Sequence, residues 1–316
     1  MKVVKPISIG TANYAKSPDT YGYLNTGDYP AWNVATAYAV GDRVIVDSLQ
    51  SAFECVSSHT GTTPTLTMTT PWVRIGASNA WKPFDAAVSA QLVGYAGGDQ
   101  AVDLMRIRLT GLGRFSTVCV LATDASRVRV KFTDPNGTET YNTLRKAVDT
   151  TPVIDAWTYC FADLNVSRDF VFDGIDGWGS TADSILDIIV SNDASGTPVR
   201  IGEIVVGLAV DIGECHAGPE LSLIDYSRKE TNEYGDLVLV ERPYSFRGTF
   251  DVEIASDRRN RIQSLMAVLR ATPCVFFPSE DDANDGLIIY GFERDFSITY
   301  QTPTRTYASL EIEGLT

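Results

Sequence analysis

Phe246-Arg-Gly-Thr-Phe-Asp-Val-Glu-Ile254, followed after Ala255 by Ser256-Asp-Arg-Arg-Asn-Arg-Ile-Gln-Ser-Leu-Met-Ala-Val-Leu-Arg-Ala-Thr-Pro273, changes its hydrophobic period in mid-course. Phe246, Gly248, Phe250, Val252 and Ile254 alternate with polar residues, the period of a strand with one buried face. Ser256 then reads as an N-cap. Ile262, Leu265, Met266 and Leu269 follow at helical spacing, one apolar stripe. Thr272-Pro273 disfavours further helix, so the element should stop near Ala271. No other stretch reads as a convincing amphipathic helix. The expected fold class is therefore mainly β and multi-domain, with a small β module, a jelly-roll-like β-sandwich and a C-terminal α+β unit carrying this one helix.

The helix presents Arg258, Arg259 and Arg261 in its first turns, where the helix dipole disfavours positive charge. Two readings stand. Either the three form a solvated face, or acidic groups of a neighbouring subunit meet them. The acidic run Glu280-Asp281-Asp282 is a candidate for the opposite side of such a contact, pairing head to tail around a ring.

At 316 residues the chain exceeds one typical domain, and 44 % hydrophobic content is ample for real cores. A net charge of -14 argues against wrapping nucleic acid or lying on an anionic membrane. Met1 to Gly10 holds no apolar leader core and no run approaches a membrane span, so synthesis in the cytoplasm without membrane insertion is expected. Cys55, Cys119, Cys160, Cys215 and Cys274 are odd in number and far apart, which fits free thiols better than disulfides or zinc.

Residues 1–29 read as an N-terminal arm, rich in Gly, Asn, Ser and Tyr with weak periodicity. Residues 30–77 read as a small β unit with a tight turn at Gly41-Asp42, too short for an ordinary core and dependent on its aromatics. Residues 78–85, with Trp81 and Phe84, form a linker that docks. The sandwich is expected over 86–215. Its strongest signal is Arg127 to Phe132, strictly alternating, then the turn Asp134-Pro-Asn-Gly137 and a return strand. Residues 216–316 complete the chain with Leu237 to Val240, the strand and helix above, Val275 to Phe277, Leu287 to Phe292, Phe296 to Tyr300 and Tyr307 to Ile312. Asn284-Asp285-Gly286 is a hairpin turn.

The order Trp32, Thr36-Ala37-Tyr38, Gly41-Asp42-x-Val44, Phe53-x-Cys55, His59, Pro71-Trp72 resembles the small carbohydrate-binding module found beside chitinase catalytic domains. The resemblance makes Trp32, Tyr38 and Trp72 candidate sugar contacts. In so small a unit an aromatic is more often core than platform, and each of the three has that alternative. The order of parts over most of the chain resembles minor tail or baseplate proteins of long, non-contractile-tailed bacteriophages: the Met-Lys-Val-Val-Lys-Pro opening, the small module, Asn79-x-Trp81-x2-Phe84-Asp85, the sandwich and the ending Tyr307-Ala-Ser-Leu-Glu-Ile-Glu-Gly314. That resemblance implies a structural role in the virion, at the tail tip. There a homo-oligomeric ring or collar joins tube to hub and receptor-binding parts and displays sugar-binding-like modules toward host surface glycans. The alternative is a stand-alone carbohydrate-binding protein.

Catalysis finds little in the residues. Only His59 and His216 are available as imidazole bases, and neither accompanies a nucleophile elbow. Gly111-Leu-Gly113 lacks the lysine and helix of a phosphate loop and reads as a turn. Asp173, Asp176 and Asp183 read as a polar loop or a structural calcium loop without EF-hand spacing. A pair of carboxylates suffices for glycoside hydrolysis, and 40 acidic residues offer many chance pairs. The expectation is no enzyme, no cofactor and no metal.

Overall fold

A computed structural model of the chain describes residues 1–14, 29–94, 105–148, 155, 157, 166–177, 183–192, 198–215, 219–231, 235–278, 287–299 and 305–315. It is mainly β, with 53 % strand against 9 % helix, as the periodicities predict. The frame is a curled antiparallel sheet of ten strands. In spatial order it runs Phe170–Phe172, Thr117–Leu121, Glu203–Asp211, Lys2–Pro6, Cys274–Phe277, Ile289–Thr299, Arg305–Gly314 and Tyr244–Ala255. The short strands Glu214–Cys215 and Glu220–Asp225 both pair with the outer edge of Tyr244–Ala255.

The N-terminal residues occupy the middle of this sheet. Val3 and Val4 lie opposite Val210 and Ala209 on one side and Phe276 and Val275 on the other. Residues 1–6 are thus an interior strand and not the arm that their sequence predicts. A stretch of six residues with two valines is too short to show a period, and only its two neighbours specify it. Gly207 has no Cβ because the Lys5 carbonyl occupies that space.

A second sheet, Glu139–Lys146, Arg127–Thr133, Ile185–Ser191 and Met105–Thr110, packs on the first half of the large one. Val128, Val130 and Phe132 face Val118, Val120 and Val206 across a shared core, so the alternation at Arg127 to Phe132 is realised. The Asp134-Gly137 turn forms as read. Asp134 accepts from the backbone N–H groups of Asn136 and Thr138, and Gly137 takes φ +83°. Trp81 and Phe84 of the predicted linker dock edge-on against Tyr14, Trp81 within that core.

The second half of the large sheet buries Val3, Phe250, Val252, Phe276 and Leu310 beneath the helix Arg259–Leu269. Ile262, Met266 and Leu269 are the helix's buried face, and the chain leaves helical geometry at Arg270, close to the predicted stop. Two local expectations change. Ser256 is not the N-cap: the strand runs into a turn closed from Arg258 N to Ala255 O, and the helix starts two residues later than expected, with Arg258 at the cap. Leu287 to Phe292 and Phe296 to Tyr300 are one strand, Ile289–Thr299, with an irregular register between Glu293 and Asp295. Charged residues interrupt the pattern there because the bulge turns Arg294 toward Glu311 and Glu313. The Asn284-Asp285-Gly286 turn lies outside the described residues.

The opposite face of the sheet carries Val4, Cys119, Leu121, Val275 and Phe277, all buried. Residues 30–77 keep a separate small core. There the strands Arg43–Val46, Ser51–Cys55 and Trp72–Ala77 form a three-stranded sheet, and Gly41 makes the predicted turn at φ +94°.

Candidate functional site

In the small unit the candidate sugar contacts are mostly core. Trp72 is fully buried, its Nε1–H donated to the Thr62 carbonyl at 2.9 Å. Tyr38 stands edge-on to it at 4.9 Å, and its hydroxyl accepts from the Asn33 N–H at 2.7 Å. Neither presents a ring face to solvent, which corrects the platform reading for both. Some 45 residues supply too few aliphatic side chains to close a core, so the aromatics fill it. Trp32 is half-buried at the edge of the same cluster. His59 packs edge-on to Trp72 at 4.9 Å, with Nδ1 against the Ser57 carbonyl and 3.7 Å from Cys55 Sγ. Cys55 is fully buried, so this Cys–His contact offers a substrate no approach. His216 and Cys160 lie outside the described residues.

The arginines of the helix divide. Arg258 pairs within the chain, Nη1 to Asp211 Oδ2 at 3.0 Å, both groups half-exposed. Arg259 donates Nε–H to the Ser256 carbonyl at 3.1 Å. Arg261 faces outward. Glu280, Asp281 and Asp282 lie outside the described residues. Of the calcium-loop candidates, Asp173 is bound by Lys2 and Thr117, and among the described residues no cluster of three or more acidic, cysteine or histidine groups is placed to hold a metal.

The sequence reading missed the most distinctive surface. Glu220–Asp225 pairs with the start of Tyr244–Ala255, from Glu220 opposite Thr249 to Asp225 opposite Tyr244. The same two chains continue as a second ladder, Arg228–Thr231 against Leu237–Val240. Together they form a long two-stranded arm extending past the large sheet. Leu237 and Leu239, each 63 % exposed, lie on one face of the tip, and Val238 and Val240, at 46 % and 45 %, on the other. Leu221, Leu223, Tyr244 and Phe246 extend the exposed apolar surface to the root. Leu237 to Val240 was expected as an ordinary strand of the C-terminal unit, and Phe246 as buried. A signal was available in the partner segment, Arg228-Lys-Glu-Thr231, which is wholly polar and could not line a core.

At the arm's root a cleft of about 290 Å3 opens, walled by Tyr244 and Phe246 on the arm side and by Val88, Leu121, Ile289 and Leu315 on the other. Beside it, a cavity of about 200 Å3 is lined by Pro6, Ile7, Phe84, Ala86, Glu203 and Tyr290. Glu203 is 4 % exposed and its Oε2 has no partner among the described residues. Burial, and then the nearby charge of Asp85, push its carboxyl up to about 9; the Ala86 N–H and the Tyr290 hydroxyl oppose that shift. Ala86 itself takes φ +61°, the left-handed region, beside this carboxyl.

Against known proteins, the sequence matches no family model and no curated relative.

Proposed function

We propose that the chain is a structural component of a bacteriophage tail tip or baseplate. In this reading it is a multi-domain protein whose copies form a ring or collar between tail tube and hub. A jelly-roll-like sandwich and the small carbohydrate-binding-module-like unit are carried on its outside. The observation that carries the reading is the arm. A two-stranded ribbon alone in water is marginal, and one exposing apolar side chains on both faces gains stability only when a neighbour covers it. The order of parts along the sequence supplies the phage context.

The outward arginines, Arg261 above all, would meet acidic residues of an adjacent subunit such as Glu280, Asp281 and Asp282. The burial of Trp72 and Tyr38 weighs against the stand-alone glycan-binding reading, since flat sugar faces need an exposed ring. Among the described residues no helix is long and apolar enough to cross a membrane. Size-exclusion chromatography with light scattering, on the chain alone and mixed with the neighbouring tail proteins, tests the proposal. A defined oligomer or complex is expected. A monomer that joins none of them at any concentration would refute it.

A further inference from the structure

Glu203 lies where its strand has a neighbour on one side only. Thr117–Leu121 pairs with residues 203–207, whereas Lys2–Pro6, on the other side, reaches residues 207–211 and no further. The Ile7 N–H, donated to the Val206 carbonyl at 2.8 Å, is the last rung of that ladder. Along the edge left open lies the cavity of about 200 Å3, walled by Pro6, Ile7, Phe84 and Pro273 together with residues 203–206. Ser8, which is exposed, stands on its rim.

Apart from Ser8, Thr272 and Tyr290, the described side chains on this wall are apolar, and Glu203 is the one carboxyl among them. The Ala86 N–H and the Tyr290 hydroxyl donate to that carboxyl, yet Oε2 is screened from water and has no donor among the described residues. No lysine or arginine among them offsets its charge either. The neighbour that acts on it, Asp85, has the same sign, and Arg74 and Lys82 act on Asp85. A water entering the cavity would supply a donor without a charge, and would find few other polar partners on this wall. A metal ion needs more ligands: no cluster of three suitable groups exists among the described residues. A primary ammonium supplies donor and charge together, and an aliphatic stem suits the rest of the wall.

We propose that this cavity binds a primary ammonium group on a short aliphatic stem, the ammonium donating to Glu203 Oε2 and the stem lying against Ile7, Phe84 and Pro273. The charge of Asp85 adds to the attraction. A free alkylamine and a lysine side chain of a partner protein share this chemistry. The site does not depend on the assembly reading above. Binding exchanges one cation for another: the ammonium keeps its protons, and Glu203 releases its own to solvent. In the free chain burial, and then Asp85, keep that proton on Glu203 up to about pH 9, while the buried Tyr290 hydroxyl stays protonated throughout.

Calorimetric titration of the full chain with n-butylammonium chloride at constant ionic strength tests the site. Because one proton leaves as the ligand enters, affinity should rise about tenfold per pH unit between pH 6.5 and 8.5, where the amine itself stays charged. The heat should vary with the ionisation enthalpy of the buffer. n-Butanol, the same stem without the charge, should bind on the order of tenfold more weakly at pH 8.5 and without pH dependence. Glu203→Gln should lose a similar factor and the pH dependence with it. In wild type, so independently of how that variant folds, saturating butylammonium should shift the amide resonances of Ile7, Ala86 and Ile204. Nα-acetyl-lysine methylamide separates the sources. Binding as tight as butylammonium supports the site with a partner's lysine as occupant, and its exclusion while butylammonium binds supports the site with a free amine. Equal affinity for butanol would overturn the proposal in favour of a plain apolar cavity. Binding that ignores pH, survives E203Q or shifts only amides elsewhere would place the cation on the acidic surface and overturn the site. Absence of saturable binding would leave water as the occupant and overturn it as well.

Discussion

Lys2 Nζ lies 2.7 Å from Asp173 Oδ2, joining the central N-terminal strand to the end of the strand Phe170–Phe172 at the edge of the large sheet. Asp173 also accepts from Thr117, one strand away from its own. Burial pushes this carboxyl up, but the hydrogen bonds from Lys2, Thr117 and the Gly174 N–H outweigh it and hold the group below the ordinary aspartate range. The side chain is nearly buried, so Lys2→Met strands a charge and should cost about 2–3 kcal/mol at neutral pH. A depressed carboxylate contributes stability above its unfolded pKa and loses it as pH falls through the folded value. The difference between wild type and D173N should therefore shrink on acidification below about pH 4, as measured by urea unfolding at several pH values.

Glu203 has the opposite sign. Its carboxyl is raised to about 9, so its contribution is fully present below the ordinary glutamate range and declines as pH climbs toward 9. Across that window the penalty grows by about 1.4 kcal/mol for each pH unit. Glu203→Gln keeps the shape and cannot ionise. The expected result is a Tm for wild type that falls from pH 5 to 9, and a much flatter profile for the variant. Parallel profiles would show that Glu203 does not titrate in this range.

Removing Trp72 should unfold the small unit without touching the rest. Its ring contacts Tyr38 and His59, and truncation to alanine forfeits about 3–5 kcal/mol, more than so small a core can spare. Limited proteolysis of W72A should cut within residues 30–77 and leave the large sheet intact. Resistance to cleavage together with lost retention on a glycan column would instead restore Trp72 as a sugar contact.

Gly207 tests the central strand. A Cβ there would overlap the Lys5 carbonyl and crowd Val4, backbone that cannot yield without separating Lys2–Pro6 from Glu203–Asp211. Gly207→Ala should cost several kcal/mol, on the order of 3, because it breaks ladder hydrogen bonds in the middle of the sheet. Amide exchange at Val3 and Val4 should rise with it. Unchanged protection at both would mean that the strand is peripheral.

Arg258 pairs with Asp211 in a half-exposed bridge, so R258A should change stability by less than about 0.5 kcal/mol. Reversing the charge at Arg258, Arg259 and Arg261 together should weaken assembly and its salt dependence if these residues meet acidic groups of a neighbour. Light scattering across a salt series reads it directly.

Periodicity placed the helix under Ile262, Met266 and Leu269 and the Arg127 to Phe132 strand, and turn residues placed the Gly41 and Gly137 turns, because each of these depends on neighbours within a few residues; the docking of Trp81 was legible only as two large aromatics in a polar linker, and its partner Tyr14 was not. Whether Trp72 is core or platform, and whether Leu237–Val240 is buried, could not be read that way. An apolar residue looks the same in sequence whether a partner strand covers it or solvent does. The chain's own residues determined that it is mainly β and acidic and that it carries an amphipathic helix with Ile262, Met266 and Leu269 on its buried face. Only the tertiary structure decided that the first six residues sit at the centre of the large sheet and that the apolar ribbon stands uncovered. Both are set by pairing between segments some 200 residues apart or by its absence, and the physical reason is that strand partners are chosen by long-range hydrogen bonding and burial, which local pattern does not encode.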